Sequence, residues 1–215
     1  MPTWPDLSFE TTLWRAGFTF VAGLDEAGRG AWAGPVVAAG VILAPNGAGA
    51  ADLLGQVNDS KQLSPTARER CAALVMRHAY AWAVGFSSER CIDALGIVPA
   101  TRLAMGHALQ RLPLSPDLLL IDHLLLPEAV TPQLARPKAD VLYLSVAAAS
   151  ILAKVARDRY MAAVGRLLPQ YGFARHKGYG TASHRQCLER HGPCSYHRRS
   201  FAPVRQLLEE SCERP

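Results

Sequence analysis

The chain has 215 residues, of which 49% are hydrophobic and 19% charged, a composition typical of one soluble globular domain. Its apolar runs are shorter than the roughly 20 residues of a membrane span, and residues 1–10 do not resemble a secretory signal, so we expect no membrane association. The net charge of +5 is concentrated in residues 136–215, which hold 14 Lys and Arg against 6 Asp and Glu. This asymmetry suggests a polyanionic partner, or simply a solvated basic surface.

The first predicted elements are two apolar strands, at residues 18–25 and 35–43, joined by a glycine-rich turn. Their spacing predicts a hairpin. The pair Ser64-Pro65 is an N-cap and first-turn signal, which predicts a helix from about 65 to 80. A third strand is predicted at 81–88.

The later elements are mostly helical. A short apolar run between prolines predicts a buried strand at 117–122. The longest predicted helix covers 144–168, where many small residues would let it lie close against a sheet. The other predicted segments are a helical stretch at 89–112 interrupted near Gly96 and Pro99, a loop at 169–180, and helices at about 181–190 and 202–210. We therefore predict an α/β fold with a mixed central sheet, antiparallel first strands, flanking helices and a C-terminal helical segment.

Carboxylates at the ends of the predicted elements are candidate ligands for a hard cation such as Mg²⁺ or Mn²⁺. Asp25 and Glu26 are adjacent, and they can share a metal centre if the strand ends there and its pleat is lost. Asp122 ends a later strand. The sequence alone leaves the fourth position open between Asp140 and Asp158. Each acid taken singly could instead be a cap or a surface ion pair.

Cysteine and histidine do not form a cluster of metal-ligand spacing. The five cysteines are scattered and contain no C-x-x-C pair, which favours reduced thiols and a cytoplasmic protein. Four carboxylates could hold two divalent ions about 4 Å apart, one activating a water and the other stabilising the leaving oxygen of a phosphoryl displacement.

The turn after Glu26 has two interpretations. Gly28-Arg29-Gly30 followed by Ala33 fits G-x-G-x-x-A, a dinucleotide-binding pattern, and Asp52 lies about 20 residues on. That pattern needs a helix directly after the glycines, whereas Pro35 leads into strand sequence, so we reject it. The backbone amides of the turn, with Arg29 beside them, can still hold a nucleic-acid phosphate.

Five blocks of the chain, in order, resemble type 2 ribonuclease H, the ribonuclease HII family. They are GLDEAGRGAWAGPVVAAGVIL, NDSKQLS (58–64), LLLID (118–122), PKAD with SVAAASILAKVARDRY (145–160), and YGFARHKGYGT with HRRSF. The resemblance runs from about residue 18 to 204. It implies a ribonuclease-H-like fold, and hydrolysis of the RNA strand of RNA/DNA hybrids. It further implies cleavage 5′ of single ribonucleotides embedded in duplex DNA, leaving 3′-hydroxyl and 5′-phosphate ends.

The resemblance also implies residue roles. The catalytic, metal-binding carboxylates fall on Asp25, Glu26, Asp122 and Asp140. Asp158 is then a helix-surface ion pair with Lys154. The triplet Gly28-Arg29-Gly30 matches the element that reads the ribonucleotide 2′-hydroxyl, and Tyr179 matches a junction-sensing tyrosine. We expect phosphate contacts from four further basic residues, each of which could otherwise be plain surface charge: Lys61, Lys177, Arg198 and Arg199.

The predicted organisation is a single catalytic domain over 1–215, a monomer, with about 165–215 as a basic substrate-binding helical region. The predicted partners are RNA/DNA hybrids and DNA duplexes containing ribonucleotides. His176 and His184 lie in this region, and we expect ordinary surface histidines rather than proton shuttles.

Three residues depart from the family pattern: Leu142, Cys194 and His123. A non-catalytic nucleic-acid-binding domain of the same fold is the alternative function, favoured by the basic C-terminal third and by the first two departures. The four carboxylates argue against it, because a pure binder gains nothing from negative charge beside a phosphate.

Overall fold

The computed structural model describes residues 4–212 apart from 46, 48, 54 and 58–62. A five-stranded mixed sheet forms its centre. The strands are β1 (Val21–Ala27), β2 (Val36–Ile42), β3 (Ala81–Ser87), β4 (Leu118–Asp122) and β5 (Gln133–Arg136). They lie in the order β3-β2-β1-β4-β5, with β1, β2 and β3 antiparallel and with β4 and β5 parallel to β1.

Helices cover both faces of this sheet and form the C-terminal part of the chain. They are α1 (Ser8–Arg15), α2 (Pro65–His78), α3 (Glu89–Leu95), α4 (Ile97–Arg111), α5 (Leu144–Leu167), α6 (Phe173–His176), α7 (Ala182–His191) and α8 (Ala202–Cys212). Short 3₁₀ turns lie at Ala50–Asp52, Ala139–Val141 and Pro169–Tyr171. Within the described residues, no helix combines the length and the apolarity needed to cross a membrane.

The two faces of the sheet carry separate hydrophobic cores. Helix α5 packs on one face, over β1 and β2, and α4 packs on the other, over β2 and β3. Small residues permit the close approach of α5. A Cβ added to Gly23 of β1 would lie 2.3 Å from the carbonyl carbon of Ser145, so only glycine fits there. This close packing brings the buried face of α5 against the end of β1.

Most predicted elements are confirmed with shifts of a few residues. The hairpin of β1 and β2 is present, the strand predicted at 117–122 is β4, and the Ser64 hydroxyl caps α2 by accepting from the N–H of Ala67 at 3.2 Å. Three helices or strands were not predicted: α1, β5 and the short α6, which lies within the loop predicted at 169–180. The residues 58–62, which include Lys61 and most of the NDSKQLS block, lie outside the described residues.

Candidate active site

Asp25 and Asp122 lie side by side where β1 and β4 stop pairing. The last pair of the β1–β4 ladder joins Leu24 to Ile121, and the next residue on each strand is the acid. Carboxyl ends of parallel strands meet at one edge of a sheet, so these two side chains come together there. Asp25 is buried, and it also receives a hydrogen bond from Ser150 of α5.

Glu26 belongs to the same cluster, although not for the reason that the sequence suggested. The strand does not end at Glu26. It continues to Ala27 along β2, and the pairing with β4 alone stops at Leu24. The Glu26 N–H donates to Asp25 Oδ1 at 2.7 Å, and Glu26 Oε1 accepts from Arg29 at 3.2 Å. The other oxygen, Oε2, is buried and has no hydrogen-bond partner among the described residues.

The electrostatics of this cluster favour a bound cation. Burial raises the pKa of Asp25 well above its usual value, and the negative charges of Glu26 and Asp122 raise it further. Burial also raises the pKa of Glu26, while Arg29 opposes that shift. A buried group of carboxylates that repel one another is stabilised by positive charge placed between them.

Asp140 lies in the 3₁₀ turn Ala139–Val141, which precedes α5. It is buried, and its neighbour Ala139 donates its N–H to Asp122 Oδ1 at 2.9 Å, which ties the turn to the end of β4. Across the described residues, no group of three or more His, Cys, Asp or Glu side chains is arranged so that it could hold a metal ion. Asp25, Glu26 and Asp122 nevertheless lie close enough to influence one another's charge, and each supplies carboxylate oxygens. Together with the unpaired oxygen of Glu26, they fit hard divalent cations.

The turn that follows the acids is held by buried contacts. Gly28 has φ +97°, and a Cβ there would lie 1.9 Å from Nε of Arg157. The N–H of Trp32 donates to the Gly178 carbonyl at 2.8 Å, and Trp32 in turn accepts from the N–H of Arg198 at 2.8 Å. The turn is therefore fastened to the C-terminal part of the chain.

Arg198 does not lie where a phosphate contact requires it. Its side chain is completely buried and donates to the carbonyl oxygens of Gly28 at 2.7 Å, Arg29 at 2.8 Å and Gly34 at 2.9 Å. The prediction of a direct phosphate contact is corrected on this ground, because the guanidinium is already occupied by the turn. Its neighbour Arg199 is exposed.

Two cations of α5 lie near the ring of Tyr179. Lys154 Nζ is 5.4 Å from the centre of its ring and Arg157 Cζ is 5.1 Å away. Lys177 precedes it in the left-handed conformation, half-buried, with Nζ donating to the Ala174 carbonyl at 2.6 Å. The predicted ion pair of Asp158 with Lys154 is confirmed at 2.6 Å.

The histidines of this region are not surface residues. His176 and His184 are buried and stack with their ring centres 4.3 Å apart, and His184 contacts His197 through their Nε2 atoms at 3.1 Å. Burial lowers the pKa of His184 and of His197 to about 4. The expectation of ordinary surface histidines is therefore wrong, because aromatic side chains and backbone enclose them.

The three residues that depart from the family pattern have different surroundings. His123 has φ +66° directly after Asp122, and Cys194 contacts His197, its Sγ lying 3.2 Å from Nδ1. Leu142 packs in a small core beneath α1.

Arg157 is a buried residue of this region that was not predicted from the sequence. Its signal was its place on the buried stripe of α5, four residues after Ala153 and four before Met161, both of which are buried. A charge at such a position has to be paired inside the protein.

The mixed sheet and the acids at its edge define a nuclease of the ribonuclease-H-like fold. The structure of ribonuclease H2 from Pyrococcus horikoshii OT3 matches with a TM-score of 0.73 at 25% identity, over 91% of this chain and 100% of that one. Bst-RNase HIII in complex with Mn²⁺ matches with a TM-score of 0.70 at 20% identity, over 95% and 74%, which shows the shared fold.

Sequence comparison identifies the family. The ribonuclease HII family profile matches residues 22–204. A ribonuclease HII of Chloroflexus aggregans is 55% identical over 205 residues, which is 95% of this chain and 97% of that protein. The chain belongs to the ribonuclease HII family, and it is a metal-dependent endonuclease that hydrolyses the RNA strand of RNA/DNA hybrids.

Proposed function

We propose that this enzyme also cuts 5′ of single ribonucleotides embedded in duplex DNA, with two divalent cations, and leaves 3′-hydroxyl and 5′-phosphate ends. The observation that carries the proposal is that Asp25, which is buried, lies beside Asp122, which is partly buried, where β1 and β4 stop pairing, and that the Gly28-Arg29-Gly30 turn begins three residues after Asp25. Acids and an anion-binding turn are thereby joined within a few residues.

The ligands of the cations in this proposal are Asp25, Glu26, Asp122 and Asp140. Mg²⁺ or Mn²⁺ fits them, because every donor is a carboxylate oxygen. When bound, the cations supply Lewis-acid stabilisation of the charge on the phosphate and activation of a water. The chain itself contributes the arrangement: Ser150 and the N–H of Glu26 fix the carboxylate of Asp25 by hydrogen bonds.

Recognition of the ribonucleotide is assigned to the turn and to Tyr179. In the described part of the chain, the N–H groups of Gly28, Arg29 and Gly30 donate to no other group, so they can serve a 2′-hydroxyl and its phosphate. The ring of Tyr179 is half-buried, and an aromatic ring at such a position can stack on a sugar or base.

Phosphates further along the duplex are assigned to other basic residues. Lys177 and Arg199 are the candidates of the C-terminal helical region, about 165–215, within a single catalytic domain. Lys61 stays a candidate from the sequence alone. Because such contacts act through charge, binding should weaken with salt and ignore base sequence. A monomer is expected.

The central test is Asp25→Asn, assayed with Mg²⁺ or Mn²⁺ on a DNA duplex that contains one ribonucleotide. We expect cleavage to fall by more than about 100-fold, because loss of even outer-shell metal partners costs 10- to 100-fold. Binding of the duplex should persist. Glu209→Gln, an exposed carboxylate paired with Arg205 on α8, is the matched control and should cleave like wild type.

Near-normal cleavage by Asp25→Asn would refute the metal assignment. If the wild-type enzyme bound the duplex but never cut it, with and without divalent cations, the proposal for embedded ribonucleotides would fail. The same assay also tests the alternative of a non-catalytic binder, which predicts binding without scission on long hybrids as well.

A further inference from the structure

Two arginines are buried behind the glycine-rich turn. Arg157 on α5 and Arg198 after α7 each have completely buried side chains. Burial lowers the pKa of both, and the charge of Arg157 helps to lower that of Arg198 to about 9. Buried cations are costly unless they are paired or fully hydrogen-bonded, so such a pair calls for an explanation.

Carbonyl oxygens, not carboxylates, satisfy these two guanidinium groups. Arg157 donates to Pro35 at 3.0 Å, Ala33 at 3.0 Å and Lys177 at 3.0 Å. Arg198 donates to the carbonyls of Gly28, Arg29 and Gly34. Among the described residues, neither arginine forms a salt bridge with a carboxylate.

Five of these six carbonyls belong to residues 28–35, the turn between β1 and β2. The sixth belongs to Lys177, two residues before Tyr179. Arg157 also lies 5.1 Å from the Tyr179 ring. One side chain thus joins the turn to the tyrosine. The absence of a side chain at Gly28 is what gives Arg157 its place.

The two arginines also determine which backbone groups of the turn remain free. Because the carbonyls of Gly28 and Arg29 are bound from behind by Arg198, the orientation of their peptide planes is fixed. The N–H groups of residues 28–30 have no acceptor in the described part of the chain. Successive free N–H groups backed by positive charge form an anion-binding concavity.

We propose that Arg157 and Arg198 are positioning residues for ribonucleotide selectivity: they hold the 28–30 amides and Tyr179 in the one arrangement that recognises a ribose. This inference rests on the proposed role of the turn and deepens it. Neither arginine touches the substrate. Lysine cannot replace them, because one ammonium cannot donate to three carbonyls in the planar geometry of a guanidinium.

The test compares Arg157→Lys and Arg198→Lys with the wild-type enzyme. Binding of each protein to two duplexes, one with a single ribonucleotide and one entirely of DNA, is measured by fluorescence anisotropy in EDTA. The measured quantity is the ratio of the two dissociation constants. A partly unfolded preparation binds both duplexes less, so the folded fraction cancels in this ratio. We expect the preference for the ribonucleotide to fall about tenfold, the effect of losing charge-assisted hydrogen bonds.

Arg159→Lys is the matched control. Arg159 lies on the same helix, is exposed, and pairs with Glu69 instead of the turn. Its variant should keep the wild-type ratio. A second readout is the ratio of kcat/KM on the single-ribonucleotide duplex to that on a uniform hybrid, with Mg²⁺. We expect this kcat/KM ratio to fall in both Arg157→Lys and Arg198→Lys.

The outcomes separate the two proposals. If the wild-type enzyme does not distinguish the two duplexes, the recognition role of the turn is wrong, and with it the proposed function. If the wild-type enzyme distinguishes the two duplexes and both lysine variants distinguish them equally well, the turn recognises the ribose without the two arginines. Their proposed positioning role is then refuted. Melting temperatures measured in parallel report any loss of folding separately.

Discussion

Two groups of charged side chains lie near the end of β1, one fully buried and the other partly buried, and they differ in how completely the protein provides hydrogen-bond partners for them. The arginines Arg157 and Arg198 have donors matched by carbonyl oxygens. The acids Asp25, Glu26 and Asp122 repel one another, and Glu26 keeps a buried oxygen without a partner among the described residues.

This difference distinguishes charged residues that hold the structure from charged residues that bind a ligand. A buried charge whose hydrogen bonds are complete within the protein can fix the backbone around it. A buried charge that is incomplete has its partner elsewhere, and for a cluster of carboxylates that partner is a cation. The arginine pair should therefore act on the shape of the turn, and the acids on chemistry.

The contrast between binding acids and structural charges is tested most strongly by Asp122→Asn, for which we expect the largest effect. The variant for comparison is Asp117→Asn, at the opposite end of β4. Asp122 is in the acidic cluster, so we expect cleavage of an RNA/DNA hybrid to fall more than about 100-fold with little loss of stability. Asp117 accepts from the N–H groups of Thr19 at 2.9 Å and Phe20 at 2.8 Å. Its variant should lose about 1 kcal/mol of unfolding free energy and keep its activity.

Kinetics on the hybrid and urea unfolding of both variants make this comparison. The opposite pattern, with Asp122→Asn active and unstable, would mean that Asp122 serves mainly to hold the turn of Ala139. In that event the acids at the sheet edge would be scaffold as well.

A smaller effect is expected on the arginine side from Gly28→Ala, with Gly30→Ala as its control. Gly28 combines φ +97° with no room for a Cβ beside Arg157, whereas a Cβ on Gly30 would meet nothing within 4 Å. Strain and overpacking together should cost Gly28→Ala about 3 kcal/mol of unfolding free energy. Gly30→Ala should stay within about 0.5 kcal/mol of wild type. Equal stability of the two variants would show that the turn yields easily and that Arg157 does not fix it.

The sequence contained enough local signal to predict the hairpin and the long helix and to single out Asp25, Glu26 and Asp122 as candidate ligands, whereas the choice of Asp140 depended on the family resemblance. Apolar runs bounded by glycine and proline marked β1, β2 and β4, and the small residues marked α5. Strand β5 was missed because its four residues are too few to establish a period of two. Helix α1 was missed because it is short and preceded by no side-chain cap.

The role of Arg198 could not be predicted, because no local pattern encodes it. It lies in the polar stretch HRRSF, which is typical of an exposed basic surface, and its carbonyl partners are more than 160 residues away in the chain. Charge can be predicted from the sequence, but burial of that charge depends on the tertiary contacts. The same reason explains the histidines, whose neighbours come from several elements.

The smallest expected effect concerns these buried histidines. They form a third cluster, which is neutral and in which the ring nitrogens have hydrogen-bond partners. The N–H of Cys194 donates to His197 Nδ1 at 2.9 Å, so His197 carries its proton on Nε2 and donates to His184 Nε2. His184 then donates from Nδ1 to the carbonyl of Tyr179 at 3.0 Å. Every nitrogen has a role in the neutral state, and protonation of either ring breaks the chain of hydrogen bonds behind Tyr179.

The pH dependence of stability should reveal this cluster. The pKa of His184 and of His197 falls from 6.5 to about 4 on folding, mainly through burial. Between these values the unfolded chain binds more protons, so the free energy of unfolding should fall as pH is lowered from about 6.5 towards 4. His197→Gln removes one such site and should make the fall shallower, while His191→Gln, at an exposed position, should leave it unchanged. Urea unfolding at several pH values measures both slopes, and equal slopes for the two variants would mean that the buried cluster is not held neutral by folding.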